Sequence, residues 1–192
     1  MVPSDEKPAS SARRAQSTIP RRSTPLTVLG SPIPTSMVSS FYGAGTVAAH
    51  TLDELPGWAR ELLDGAPVAR LGLVDDDGGP RVMPVTFARV GGALWSAVDD
   101  KPKRRPGTEL ARVRWLRERP RAALTVDRYD DDWARLAWVQ VLGSVTVLEA
   151  EGEDAALDAL AARYPQYRER RPGGPLLRLD PERVLCWRAA GD

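Results

Sequence analysis

From residue 67 onward, short runs of alternating apolar and polar residues follow one another, separated by glycine, proline and aspartate. A period of two marks half-buried strands. PVARLGLV (67–74) predicts a strand, DDDGG (75–79) a tight turn, PRVMPVTFARV (80–90) a second strand, Gly91-Gly92 a two-residue hairpin and ALWSAV (93–98) a third strand. Three strands joined this way predict an antiparallel meander. Pro84 removes an amide from the second strand, so its place is an edge, a bulge or an interruption that faces a ligand. RAALTVD (121–127) predicts a fourth strand, and RLAWVQVLGSVTVLEA (135–150) one bent strand or two, with the bend at Gly143. LLRLDPERVLCWRA (176–189) supplies a last strand or pair, with Val184, Cys186 and Arg188 on one side and Leu185, Trp187 and Ala189 on the other.

Helical spacing appears in three places. LDELPGWARELLDG (52–65) sets Leu55, Trp58, Ala59, Leu62 and Leu63 on one face, with Asp53 and Glu54 near its start and Gly65 at its end. A second helix, capped by Thr108 or Gly107, carries Leu110, Val113 and Leu116 and ends by Pro120. EGEDAALDALAARYPQYRER (151–170) reads as an alanine-rich amphipathic helix with Leu157, Leu160 and Tyr164 on its apolar face. Many short strands with so few helices predict a mainly β protein, a small closed or nearly closed barrel, because closure removes exposed edges.

Residues 1–50 show no sustained apolar period and are rich in Ser, Pro, Thr, Ala and Arg. Such a segment buries too little to offset its ordering entropy. The expectation is a disordered extension over 1–50, with Met37 an alternative start of translation, and one folded barrel domain, able to bind a cofactor, over 51–192. The pairs Arg13-Arg14 and Arg21-Arg22 suggest a twin-arginine export signal, but Pro25, Pro32 and Pro34 interrupt the apolar helix such a signal needs.

Composition narrows the chemistry. With 42% hydrophobic and 28% charged residues the chain is ordinary for a soluble domain, and no apolar run approaches the roughly 20 residues of a membrane helix. Its single cysteine, Cys186, excludes an intramolecular disulfide and suits a reducing cytoplasm. One histidine, His50, speaks against a multi-histidine metal site or a serine-histidine-aspartate triad. Chemistry here belongs to a bound cofactor or to none.

Charge is close to balanced at net +1, yet between Lys101 and Arg121 nine Lys and Arg face only Glu109 and Glu118. Local basicity between a strand and a helix suggests an anion such as a phosphate. Asp130, Asp131 and Asp132 lack the alternating spacing of a calcium loop and read as a solvated turn, in which Tyr129 and Trp133 stand beside a substrate mouth or simply pack. Trp95, Trp138 and Trp187 read as core or interface residues.

The order of these motifs resembles the pyridoxamine-5'-phosphate-oxidase-like split β-barrel superfamily over about residues 52–189. Within it, VDDKPK (98–103), LTVDRYDDDW (124–133) and WVQVLGSVTV (138–147) are similar to the flavin/deazaflavin oxidoreductases of the actinobacterial coenzyme F-420-dependent branch. The resemblance implies a homodimer with two cofactor sites at the subunit interface. It implies that Lys101 and Lys103, with Arg104 as a third, hold the cofactor phosphate, and that the ring lies against Met83, Pro84, Val85 and Thr86. Trp138 and Gln140 would reach the cofactor from the partner subunit. ArgProGlyThrGlu (105–109) is inserted and Trp115 stands where an asparagine is common, which leaves the helix register open but not the two lysines.

Two classes of function are carried forward. One is an oxidoreductase in which coenzyme F-420, or alternatively FMN, exchanges hydride with a small organic substrate. F-420 has an acidic oligoglutamate tail, so further bases such as Arg81, Arg104 and Arg105 near the groove favour it. The other is a non-catalytic module that holds a flavin-like cofactor. Nucleic acid, the other ligand of small barrels, fits poorly with near-neutral charge.

Overall fold

The computed structural model describes residues 45–98 and 110–189. Its elements are β1 (Val47–Ala49), α1 (Gly57–Gly65), β2 (Ala69–Val74), β3 (Pro80–Val85), β4 (Ala88–Val90), β5 (Ala93–Ala97), α2 (Ala111–Glu118), β6 (Arg121–Arg128), β7 (Ala137–Leu148), α3 (Asp154–Arg163), α4 (Pro165–Glu169) and β8 (Leu176–Arg188). The strands form one antiparallel sheet in the order β3-β2-β6-β7-β8-β5-β4, with β1 also paired to β8. Among the described residues no helix is long and apolar enough to cross a membrane.

The expected second strand, 80–90, is two strands. It breaks at Thr86-Phe87, and its halves occupy the two ends of the sheet path rather than the middle of a meander. Three Cα steps from Val85 to Ala88 reach at most about 11 Å. The sheet must therefore curl until its two edges nearly meet, which makes it a barrel with a narrow split. The connection is clamped. Phe87 is fully buried, its N–H donates to the Tyr164 hydroxyl at 3.0 Å, and that hydroxyl lies 2.9 Å from the Phe87 carbonyl and 3.1 Å from that of Pro67. Arg163 stacks over the Phe87 ring at 4.3 Å, and the Thr86 hydroxyl meets that of Tyr167 at 2.8 Å.

Proline decides two further boundaries. The helix expected over 151–170 stops at Tyr164, since a residue before proline disfavours helical backbone, and α4 restarts with Pro165 as its first residue. That break aims Tyr164 and Tyr167 at the connection. The helix expected from residue 52 begins only at Gly57, with Pro56 extended before it and its carbonyl accepting from Ala59 and Arg60. A short strand also lies within the stretch expected to be a disordered extension. Val47–Ala49 pairs with β8, and three residues are too short a run for alternation to reveal. Residues 1–44, Met37 among them, lie outside the described residues.

β7 runs unbroken through Gly143 against β8, and the register slips at Leu142/Gly143 so that Glu182 is the extra residue. A Cβ at Gly143 would collide with the Asp180 carbonyl oxygen. The 75–79 turn is organised by Asp75, which is 4% exposed and accepts from the N–H groups of Asp77 (3.1 Å) and Gly79 (2.7 Å) and from Arg81 Nε (2.7 Å). Two cores result. One fills the barrel with residues such as Leu71, Leu124, Val126, Val139 and Val184, lidded by Ala59 and Leu63 of α1; the other packs Leu157 and Leu160 of α3 on Trp95 and Ala97 outside it.

Gly143→Ala should cost about 1–3 kcal/mol in a denaturant melt; a parental midpoint would mean that β8 yields there. Tyr164→Phe leaves the buried polar groups of Phe87 without that hydroxyl, and a loss of about 1–3 kcal/mol is expected in the same measurement. The Asp75 carboxyl titrates below its ordinary 3.8, chiefly through the Gly79 N–H and then Arg81. A depressed folded pKa gives stability that is present above the unfolded value and lost as pH falls through the folded one. Asp75→Asn should therefore lower stability at neutral pH and flatten the acid limb below about pH 4, and an acid limb as steep as the parent's would remove this assignment.

Candidate functional site

A small barrel whose interior is filled by side chains leaves its outer face and its ends for a ligand. β3 ends the sheet path, so the backbone edge turned away from β2 has no ladder partner among the described residues. Pro84 stands on this edge strand, where a missing amide costs least. Side chains alternate along the strand. Met83 and Val85 point inward against the barrel core, so a ligand outside would meet their backbone only. Val82, 71% exposed, and Pro84 point outward.

Register carries this outer face across four strands. One row runs Pro84, Arg70, Thr125, Gln140 and the next runs Val82, Gly72, Ala123, Leu142. Gly72 and Ala123 make the second row a shallow trough of small side chains. Gln140 Nε2 lies 3.4 Å from Thr125 Oγ1, and Trp138 sits between Asp127 and Trp187 in a neighbouring row. Gln140 is three strand spacings, about 14 Å, from Pro84. Within this chain the two do not form a single contact site.

The expected phosphate ligands Lys101, Lys103 and Arg104 lie outside the described residues. Their point of departure is fixed. Ala88 pairs with Trp95, so Ala97 at the end of β5 comes level with Thr86, beside the split and the end of β3. Arg81 holds Asp75 and lies 5.9 Å over the Trp115 ring. The arginines of α2 and its exit are largely occupied. Arg114 pairs with Asp76 at 2.6 Å, Arg117 with Glu149 at 3.5 Å and Arg121 with Glu182 at 2.6 Å. Arg119 donates to the Asp75 and Asp76 carbonyls at 2.8 and 3.1 Å. Carboxylates distant in sequence thus neutralise much of the basicity that the local sequence displayed.

Aspartates 130 and 132 build their own loop. Asp130 accepts from the Asp132 N–H at 3.0 Å and faces Arg135 at 3.3 Å, and Asp132 caps the short 3-10 turn Trp133–Arg135. Tyr129 and Trp133 are 73% and 74% exposed. Tyr129 also borders a cleft of about 750 Å³ between α1 and the strand ends that carry Arg70, Arg128 and Arg188, whose arginine lining sequence reasoning did not foresee. Its signal was present as parity: Arg128 continues the inward series Leu124, Val126, and Arg188 continues Val184, Cys186. Cys186 itself is buried, and burial pushes its thiol up to about 11, far from a nucleophile's range.

No curated protein matches the chain. Among solved structures, a conserved hypothetical protein of Mycobacterium tuberculosis superposes with TM-score 0.57 at 16% identity, over 73% of this chain and 89% of its own. The FAD and heme binding protein of Mycobacterium smegmatis gives 0.56 at 23% identity, over 75% and 74%. A FAD-binding protein of Mesorhizobium loti gives 0.51 at 21%, over 73% and 96%. These likenesses are of fold, and they agree with a family model described as pyridoxamine 5'-phosphate oxidase that matches residues 55–188. On that match and the split barrel that carries it, the chain belongs to the pyridoxamine 5'-phosphate oxidase family.

Proposed function

We propose that this chain is an oxidoreductase that binds a phosphorylated flavin-type cofactor, coenzyme F-420 first and FMN as the alternative, at the free β3 edge. The observation that carries the reading is the meeting of two features at the split: the edge of β3 with Pro84, unpaired among the described residues, and the end of β5, after which the sequence continues to Lys101, Lys103 and Arg104. A planar ring suits a strand edge that offers backbone groups and a flat outer trough, and a phosphate suits charge-assisted donors. The bound cofactor would supply the hydride. The chain's own residues would orient the ring through the backbone of Met83, Pro84, Val85 and Thr86 and keep water from one face of it. The FAD-binding names of two structural neighbours support a flavin in general and keep FAD among the ligands to be tried.

The same reading takes the protein as a homodimer. Gln140 and Trp138 lie too far from β3 of their own chain to touch a ring there, and a second copy seated on the outer face would bring them to it. The fit of the phosphate ligands rests on the family likeness.

Tryptophan fluorescence of the full chain, titrated in parallel with F-420, FMN and FAD, tests the reading. Micromolar or tighter binding of F-420 with weak binding of the flavins is expected. Preference for FMN or FAD would make it a flavoprotein of this fold, and binding of none would overturn the proposal. Lys101→Ala with Lys103→Ala should weaken binding by about 1.5–3 kcal/mol per lost charged hydrogen bond, and an unchanged affinity would remove the phosphate assignment.

A further inference from the structure

The cleft at the barrel's end is lined on its helix side by Trp58, Leu62, Ala66, Pro67 and Val68, a mainly apolar wall interrupted by Glu61. Its strand side carries Arg70, Arg128 and Arg188, with Asp127, Tyr129 and Ala137 among them. Arg128 and Arg188 lie opposite Ala137 on either side of it, in one cross-strand row. All three continue series that point into the barrel, so the two guanidinium groups emerge over its mouth instead of spreading from the sheet. Their backbones stand two strand spacings apart, about 10 Å, and the small side chain of Ala137 leaves the space between them open.

Among the described residues each arginine is held by a contact of its own. Arg188 stacks on Trp58 at 5.3 Å, and Arg128 Nε donates to the Arg135 carbonyl at 2.8 Å. Neither has a carboxylate within ion-pair distance among the described residues, whereas Arg70 beside them is paired with Asp127 at 2.8 Å. Three arginines against two carboxylates, Asp127 and Glu61, line the cleft, and a second cavity that shares Trp58, Arg128 and Arg188 extends it toward Arg135. A volume of about 750 Å³ lies within the range of small-molecule sites, roughly 300–1,000 Å³.

We infer that this cleft binds a small organic anion, a carboxylate or phosphate joined to an apolar body, with the anion between Arg128 and Arg188 and the body against Trp58 and Leu62. Held guanidinium groups lose little freedom on binding, and a one-sided apolar wall rewards a ligand that a bare inorganic ion would not match. Val85 at the end of β3 pairs with Ala69, next to Arg70, so the cleft opens at the same end of the barrel as the proposed ring site. That it takes the substrate's anionic group rests on the oxidoreductase reading; the binding itself does not.

Calorimetric titration of the full chain with phenylacetate, phenyl phosphate and the neutral 2-phenylethanol tests this. Saturable millimolar or tighter binding of one anion, weakening as salt is raised, is expected, with the alcohol at least tenfold weaker; which anion wins names the group. Arg128→Gln and Arg188→Gln should each weaken it tenfold or more, while Arg121→Gln, outside the cleft, should not. The salt dependence stands even where a variant folds poorly. Equal binding of alcohol and anions, no saturable binding, or indifference to both cleft variants would overturn the inference. Anion binding retained in the Lys101→Ala, Lys103→Ala double variant separates this site from the cofactor reading, and loss of it there would overturn the claim of a distinct cleft.

Discussion

The two-residue connection Thr86-Phe87 is the constraint on which the architecture depends. Because β3 and β4 stand at opposite ends of the sheet path and are tied by so short a link, an open sheet is geometrically excluded. Closure forces the link into the interior, where its peptide groups need partners. Tyr164 supplies them, and Pro165 is what leaves Tyr164 extended at the end of α3 instead of buried in a continuous helix. The outer helical layer thus fastens the seam of the barrel as well as covering one side of it.

Closure also dictates where function can sit. The interior holds Leu71, Leu124, Val139, Val141 and Val184, with no room for a cofactor, and Cys186 among them is an inert thiol. What remains is the split with its β3 edge, free among the described residues, the outer face with its trough at Gly72 and Ala123, and the open end under α1. The proposed cofactor edge and the arginine cleft lie at the same end because the β2–β3 register sets Val85 beside the start of β2, where the cleft begins.

Electrostatics shows how far local sequence can mislead. Arg114, Arg117 and Arg121 look unopposed in their own stretch, yet the fold brings Asp76, Glu149 and Glu182 to them. Surface pairs of this kind contribute little stability each, about 0–1 kcal/mol, but they remove those charges from competition for an anion. Arg128 and Arg188, unremarkable in the sequence and 60 positions apart, are the ones left facing a cleft.

Alternation with period two, glycine and proline punctuation and the helical stripes determined most of the strands and the barrel class, because these depend on each residue's own geometry and on burial of one face, and they limited Pro84 to an edge, a bulge or an interruption, of which the sheet order selects the edge. Gly143 stood out in the sequence as a bend, but the structure needs its missing side chain for another reason, the close approach of the Asp180 carbonyl on β8. The sequence could not decide that 80–90 breaks and is shared between the two edges, that three residues before His50 join β8, or which arginines find carboxylates. Those outcomes depend on contacts between residues far apart in the chain, and a pairing partner leaves no mark on the local pattern. Tertiary structure alone placed Arg128, Ala137 and Arg188 in one row over Trp58.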